Sequence, residues 1–120
     1  MADAAKMDLK RRTKALALRI IRLYSALPSR VDAQVLGKQL LRSGTSVGAN
    51  YREACRARSV AEFISKMEIG LQELDESAYW IELLIEAEII SAGKLSELRS
   101  EVDELIRIFV ASINTAKERE

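Results

Sequence analysis

Residues with chemical potential concentrate in one stretch, Arg42 to Ser59, which reads RSGTSVGANYREACRARS. Ser43, Ser46, Asn50 and Glu53 recur at spacings of three and four, so on a helix turning about 100° per residue they share one flank. Hydroxyls in line with a carboxylate suggest nucleophilic transfer chemistry, which needs a base to activate the serine. The chain has no His, and no Glu or Lys stands at a spacing that marks it as the base. The competing reading is structural. Small residues let a neighbouring backbone approach, and Ser, Asn and Glu can satisfy one another in a buried network that fixes helix register. We read the flank as structural and assign no catalytic residue.

The remaining reactive groups lead to the same place. Glu68, Glu73, Asp75 and Glu76 could hold a hard cation, but a dense acidic run on a helix is ordinarily a solvated face or a salt-bridge strip. Cys55 stands near Arg52 and Arg56, which favour a thiolate, yet its angle places it beside the core stripe as a structural thiol. Without His there is no Glu-x-x-His pair for a di-iron site. CxxC, a glycine-rich phosphate loop and a nucleophile elbow are also missing from the sequence. The expectation is a non-enzyme with no cofactor and no metal.

These groups ride on four amphipathic segments. Leu9, Leu16, Ile20, Leu23 and Leu27 give one helical face over residues 6–27, and Pro28 ends it. Ser29 and Asp32 have capping-box spacing before a second helix over 31–57, whose stripe is Leu36, Leu40, Val47, Tyr51 and Ala54. That stripe continues through Gly44 and Gly48, although each costs about 1 kcal/mol relative to Ala in a helix. Ser59 and Glu62 form another capping box, opening a helix over 60–90 with Phe63, Met67, Gly70, Leu74, Ile81 and Ile85 on its face. Gly93 suits a left-handed stop. The fourth helix, 94–116, carries Leu98, Val102, Leu105, Phe109 and Ile113. Four such helices on short loops make an all-α fold, an antiparallel up-down-up-down four-helix bundle, with residues 1–120 as one domain.

Composition agrees. Of 120 residues, 48% are hydrophobic and only 5% aromatic, with five glycines and one proline, which suits helices packed by aliphatic side chains. No apolar run reaches the roughly 18 residues of a membrane span, and the first residues, MADAAKMDLKRR, lack a signal-peptide core. With one cysteine, the chain reads as cytoplasmic and not membrane-bound. Net charge is +1, but residues 1–58 hold 13 Lys and Arg against 4 Asp and Glu, whereas residues 59–120 hold 6 against 14. Such a dipolar chain can reflect a nucleic-acid surface, a partner surface, or two basic helices packed against two acidic ones.

QLLRSGTSVGANYREA followed by RSVAEFISKMEIGLQELDESAYWIELL closely resembles the bacterial four-helix-bundle family of intervening-sequence proteins, over about residues 10–115. The Ser43/Ser46/Asn50/Glu53 spacing and ELDESAYW are its most specific parts. Many members read N-I-x-E-G where this chain has Asn50-Tyr51-Arg52-Glu53-Ala54. The resemblance implies a bundle that assembles as a homopentameric ring. It also implies kinship with the accessory proteins of diversity-generating retroelements, which bind nucleic acid and a reverse transcriptase.

Two expectations about partners follow from the residues. Leu18 and Ile21 lie on the outward face of the first helix among basic residues, and Ile69, Trp80 and Leu83 on the outward face of the third among acidic ones. Two unlike apolar strips favour head-to-tail self-association, which closes into a ring when the rotation permits. Arg11, Lys14 and Arg22, with Lys38, Arg42, Arg52 and Arg56 on the back of helix two, could contact phosphates of structured RNA. The basic face has no interleaved aromatics, so a preference for bare single strands is not expected. The alternative is a protein–protein adaptor, such as a reverse-transcriptase accessory subunit.

Overall fold

The computed structural model describes residues 3–120. Each of the four apolar periodicities becomes a helix: α1 (Asp3–Ser25), α2 (Val31–Cys55), α3 (Val60–Glu86) and α4 (Ala92–Lys117). They pack in sequence order as an antiparallel bundle of 47 × 21 × 20 Å, with no strand among the described residues. Seams α1–α2, α2–α3 and α3–α4 are tightly packed, whereas α1 and α4 approach sparsely.

The core is aliphatic around Tyr51 and Phe109, whose rings meet at 5.9 Å. It includes Leu9, Leu16, Ile20, Leu40, Val47 and Met67, as the spacings predict. On α3 the buried row runs Ile64, Met67, Gly70, Leu74, Ser77, Ile81 and Leu84, so Phe63 and Ile85 are half-buried at its margins. Ser77 is a core position, and the apolar pattern skipped it because it is polar. Leu23 and Leu36 are likewise only half-buried, while Thr13, Ala33, Gly37 and Gly44 take inward positions.

Helix ends differ from expectation in two places. Ser59 does cap α3, accepting from Glu62 N at 3.0 Å. Ser29 does not cap α2. Arg30 holds the N-cap position with no side-chain cap, and the Asp32 carboxylate accepts from the Arg30 guanidinium at 2.6 Å and from Ala33 N at 2.8 Å. Gly93 does not stop α3 either, because it lies inside the first turn of α4. The stop is Glu88, at φ 59°. Glu88 N donates to Ile85 O at 2.9 Å and Ile89 N to Leu84 O at 3.0 Å, the paired bonds of a Schellman motif.

The glycines of α2 answer to a neighbouring helix. A Cβ on Gly44 would lie 2.2 Å from Ile20 Cδ1, and one on Gly48 would lie 3.2 Å from Thr13 Oγ1. The helix gives up intrinsic propensity so that α1 can settle against it.

Candidate nucleic-acid interface and polar seam

The four residues of the polar flank separate once folded. Ser43 is fully buried and its hydroxyl meets that of Ser77 at 2.8 Å across the α2–α3 seam, while Ser77 donates to Glu73 O at 2.8 Å. Ser46 donates to Arg42 O at 2.8 Å, and Asn50 Nδ2 donates to Ser46 O at 2.9 Å. Glu53 reaches out to Lys66 at 3.0 Å. The expected mutual network is therefore three separate arrangements: one cross-helix hydroxyl pair, two bonds back to the helix's own carbonyls, and one ion pair. Neither hydroxyl of the buried pair has a carboxylate, lysine or imidazole as its hydrogen-bond partner, so the geometry supplies no activated nucleophile. Ser77 could have been found from sequence, since it continues the 67, 70, 74, 81 periodicity.

Charge is used across seams as well as on the surface. Arg42 binds Glu73 at 3.1 Å and Glu76 at 2.6 Å, joining α2 to α3. Arg12 makes a two-pronged contact with Glu101, at 3.1 and 2.8 Å, and reaches Glu104 at 3.1 Å, joining α1 to α4. The carboxylates stabilise the Arg12 guanidinium and raise its pKa above the ordinary value, against the opposing cost of burial. Glu73 and Glu76 thus belong to a salt-bridge strip. Groups of carboxylate, His or Cys that could hold a metal do not occur among the described residues.

The predicted phosphate contacts divide accordingly. Arg42 is committed to α3, and Arg11 pairs with Asp8 one turn away. Lys14, Arg22, Lys38, Arg52 and Arg56 are exposed and enter no ion pair among the described residues. Lys14 and Arg22 lie on the outward face of α1, Lys38 and Arg52 on that of α2, and Arg56 at the C-cap of α2. Asp32 also lies on α2, but Arg30 occupies its carboxylate and holds its pKa below the ordinary value.

The predicted interface residues also divide. Leu18, Ile21 and Ile69 are exposed. Trp80 and Leu83 are half-buried, and Trp80 packs against the core with its indole N–H buried and unpartnered among the described residues. Tyr79, stacked at a tilt 5.1 Å from Trp80, is the more exposed ring. Sequence reasoning missed Val31 and Val35, 80% and 55% exposed on the first turns of α2. Their i, i+4 spacing on the side away from the Leu40 stripe was the available signal.

Cys55 is half-buried and free, and no helix among the described residues is long and apolar enough to cross a membrane. Burial, and then a hydrogen bond with Cys55, push the Tyr51 phenol well above its ordinary pKa.

Residues 5–111 match the family model described as 23S rRNA-intervening sequence protein. The chain belongs to that family. A solved relative gives the intervening-sequence bundle a close structural counterpart: a protein of unknown function from the S23 ribosomal protein family of Bacteroides thetaiotaomicron. It is 38% identical, with a TM-score of 0.85 over 91% of this chain and 97% of that one. No curated protein matches. The family and its solved relative thus establish the four-helix architecture, and neither carries a known activity.

Proposed function

We propose that this intervening-sequence protein is a non-enzymatic, cytoplasmic helical bundle that binds structured RNA through the outward faces of α1 and α2. The observation that carries the reading is the set Lys14, Arg22, Lys38, Arg52 and Arg56, all exposed and none neutralised by a carboxylate among the described residues. Cations that form no internal ion pair are available to phosphates, and such contacts position a nucleic acid without reading its sequence. Arg11 and Arg42 are outside the set because Asp8 of α1 and Glu73 and Glu76 of α3 already use them.

Assembly belongs to the same proposal. The exposed Leu18 and Ile21 on α1, edged by cations, and Ile69 and Tyr79 on α3, edged by carboxylates, suit a head-to-tail contact between copies. The resemblance described above supports a homopentameric ring as the form of that assembly. A ring repeats the basic face around an axis, so weak phosphate contacts add. The exposed apolar residues also favour a second reading, in which the ring is an adaptor that docks a protein such as a reverse transcriptase.

Fluorescence anisotropy against a structured ribosomal RNA fragment across a salt series tests the first reading. Binding with a steep salt slope, lost in Lys14→Glu/Arg52→Glu, is the expected result. Flat anisotropy at low salt would overturn it and leave the adaptor.

A further inference from the structure

The end of the bundle where α1 begins and α4 finishes holds a groove of about 860 Å³. Its apolar wall is Val60 and Phe63 of α3 with Ile108 of α4. Three cations line it, each from a different part of the chain: Lys6 on α1, Arg58 in the α2–α3 loop and Arg119 beyond α4. None of them enters an ion pair, and no carboxylate lines the groove, among the described residues. The hydroxyls of Ser59, Ser112 and Thr115 also line it, that of Ser59 already accepting from Glu62 N as the cap of α3, with Cys55 and small alanines between them.

This pattern is specific about the class of occupant. An acyl chain would want an unbroken apolar tunnel and a single cation for its carboxylate. Here three cations are spread around a pocket that also offers the hydroxyls of Ser112 and Thr115, able both to donate and to accept, and the remaining O–H of Ser59. A flat ring with polar edges, carried on a chain of negative charges, fits all three features. The volume lies within the roughly 300–1,000 Å³ of small-ligand clefts. Arg58 also follows Arg52 and Arg56 closely in the chain, and all three are exposed at or just past the C-terminal end of α2.

We propose that the end groove receives the base of one unpaired nucleotide extruded from a structured RNA, against Phe63, with the adjoining phosphates on Lys6, Arg58 and Arg119. This deepens the RNA reading and rests on it. Paired stem lies along the α1–α2 face and supplies the salt-dependent affinity. The extruded base supplies a preference for helices interrupted by a bulge, because unpaired bases offer their faces for stacking and their edges for hydrogen bonding.

The test compares two RNA hairpins with the same stem, one fully paired and one carrying a single bulged nucleotide, by anisotropy at one ionic strength. The wild type is expected to bind the bulged hairpin about tenfold more tightly, toward the low end of what base stacking on a side chain contributes. Ala57→Leu/Ala111→Leu narrows the groove without changing charge. It should abolish the preference while keeping the affinity for the paired hairpin and the melting temperature. Equal binding of both hairpins by the wild type, or a preference that survives in the narrowed variant, would overturn the inference and leave the RNA reading standing. Binding of neither hairpin would remove both.

Discussion

The Ser43 and Ser77 hydroxyls meet at 2.8 Å in the interior of the α2–α3 seam, each fully shielded from solvent. Two polar groups are tolerated there because each is the other's partner and Ser77 donates its own O–H to Glu73 O. Ser43→Ala should cost about 1 kcal/mol, and Ser77→Ala a similar amount. The double variant should cost less than the sum, because either single change already removes the one hydrogen bond the two hydroxyls share. A thermal-melt double-mutant cycle with additive losses would show that the pair is not a coupled unit.

Identical substitutions should have opposite signs at two glycines. A Cβ on Gly70 would lie 2.8 Å from Cε2 of the rigid, buried Phe109 ring, so Gly70→Ala should destabilise by about 1–3 kcal/mol. Among the described residues nothing lies within 4 Å of a Cβ on Gly93, so Gly93→Ala should stabilise α4 by up to ~1 kcal/mol. Chemical denaturation of the two variants checks both.

Glu88 terminates α3 in the left-handed region that glycine adopts freely. Glu88→Gly removes that strain while keeping the Schellman bonds of Ile89 and Glu88, and should raise stability by about 0.5–1 kcal/mol. An unchanged or lowered denaturation midpoint would contradict this account of the stop.

The sparsely packed α1–α4 seam depends on Arg12. Arg12→Met removes its contacts with Glu101 and Glu104 and should loosen α1 by on the order of 1 kcal/mol. Hydrogen exchange should accelerate in α1 before α2 and α3, and added salt should narrow the gap between variant and wild type. Uniform acceleration across all four helices would locate the effect elsewhere.

Tyr51 makes alkaline pH a probe of the core. Its folded-state pKa lies above that of an unfolded tyrosine, about 10. The neutral phenol's contribution is therefore complete below that pH and is lost as pH rises through the folded value. Tyr51→Phe keeps the ring against Phe109 and forfeits the bond to Lys6 O, costing about 1 kcal/mol at neutral pH. The wild-type advantage should shrink above about pH 10 in melts of both proteins. An advantage constant across that range would mean that Tyr51 ionises as freely in the fold as outside it.

What the sequence determined by itself was periodic. Leu16, Ile20, Leu40, Val47, Met67 and Phe109 recur at helical spacing, and burying those stripes together leaves a four-helix bundle as the compact solution. Ser59 and Glu62 likewise announce a helix start through bonds between near neighbours. Tertiary structure decided everything that depends on a partner from another helix. The identity of Arg42's partners, the pairing of Ser43 with Ser77, and the need for glycine opposite Ile20 and Phe109 are contacts between residues many positions apart. The end groove is of the same kind, since Lys6, Arg58 and Arg119 become neighbours of one cavity only after four helices have aligned their ends. Local spacing encodes which face turns inward. Which side chain stands opposite follows from rotation and axial shift between helices, and those are fixed by the packing of the whole core.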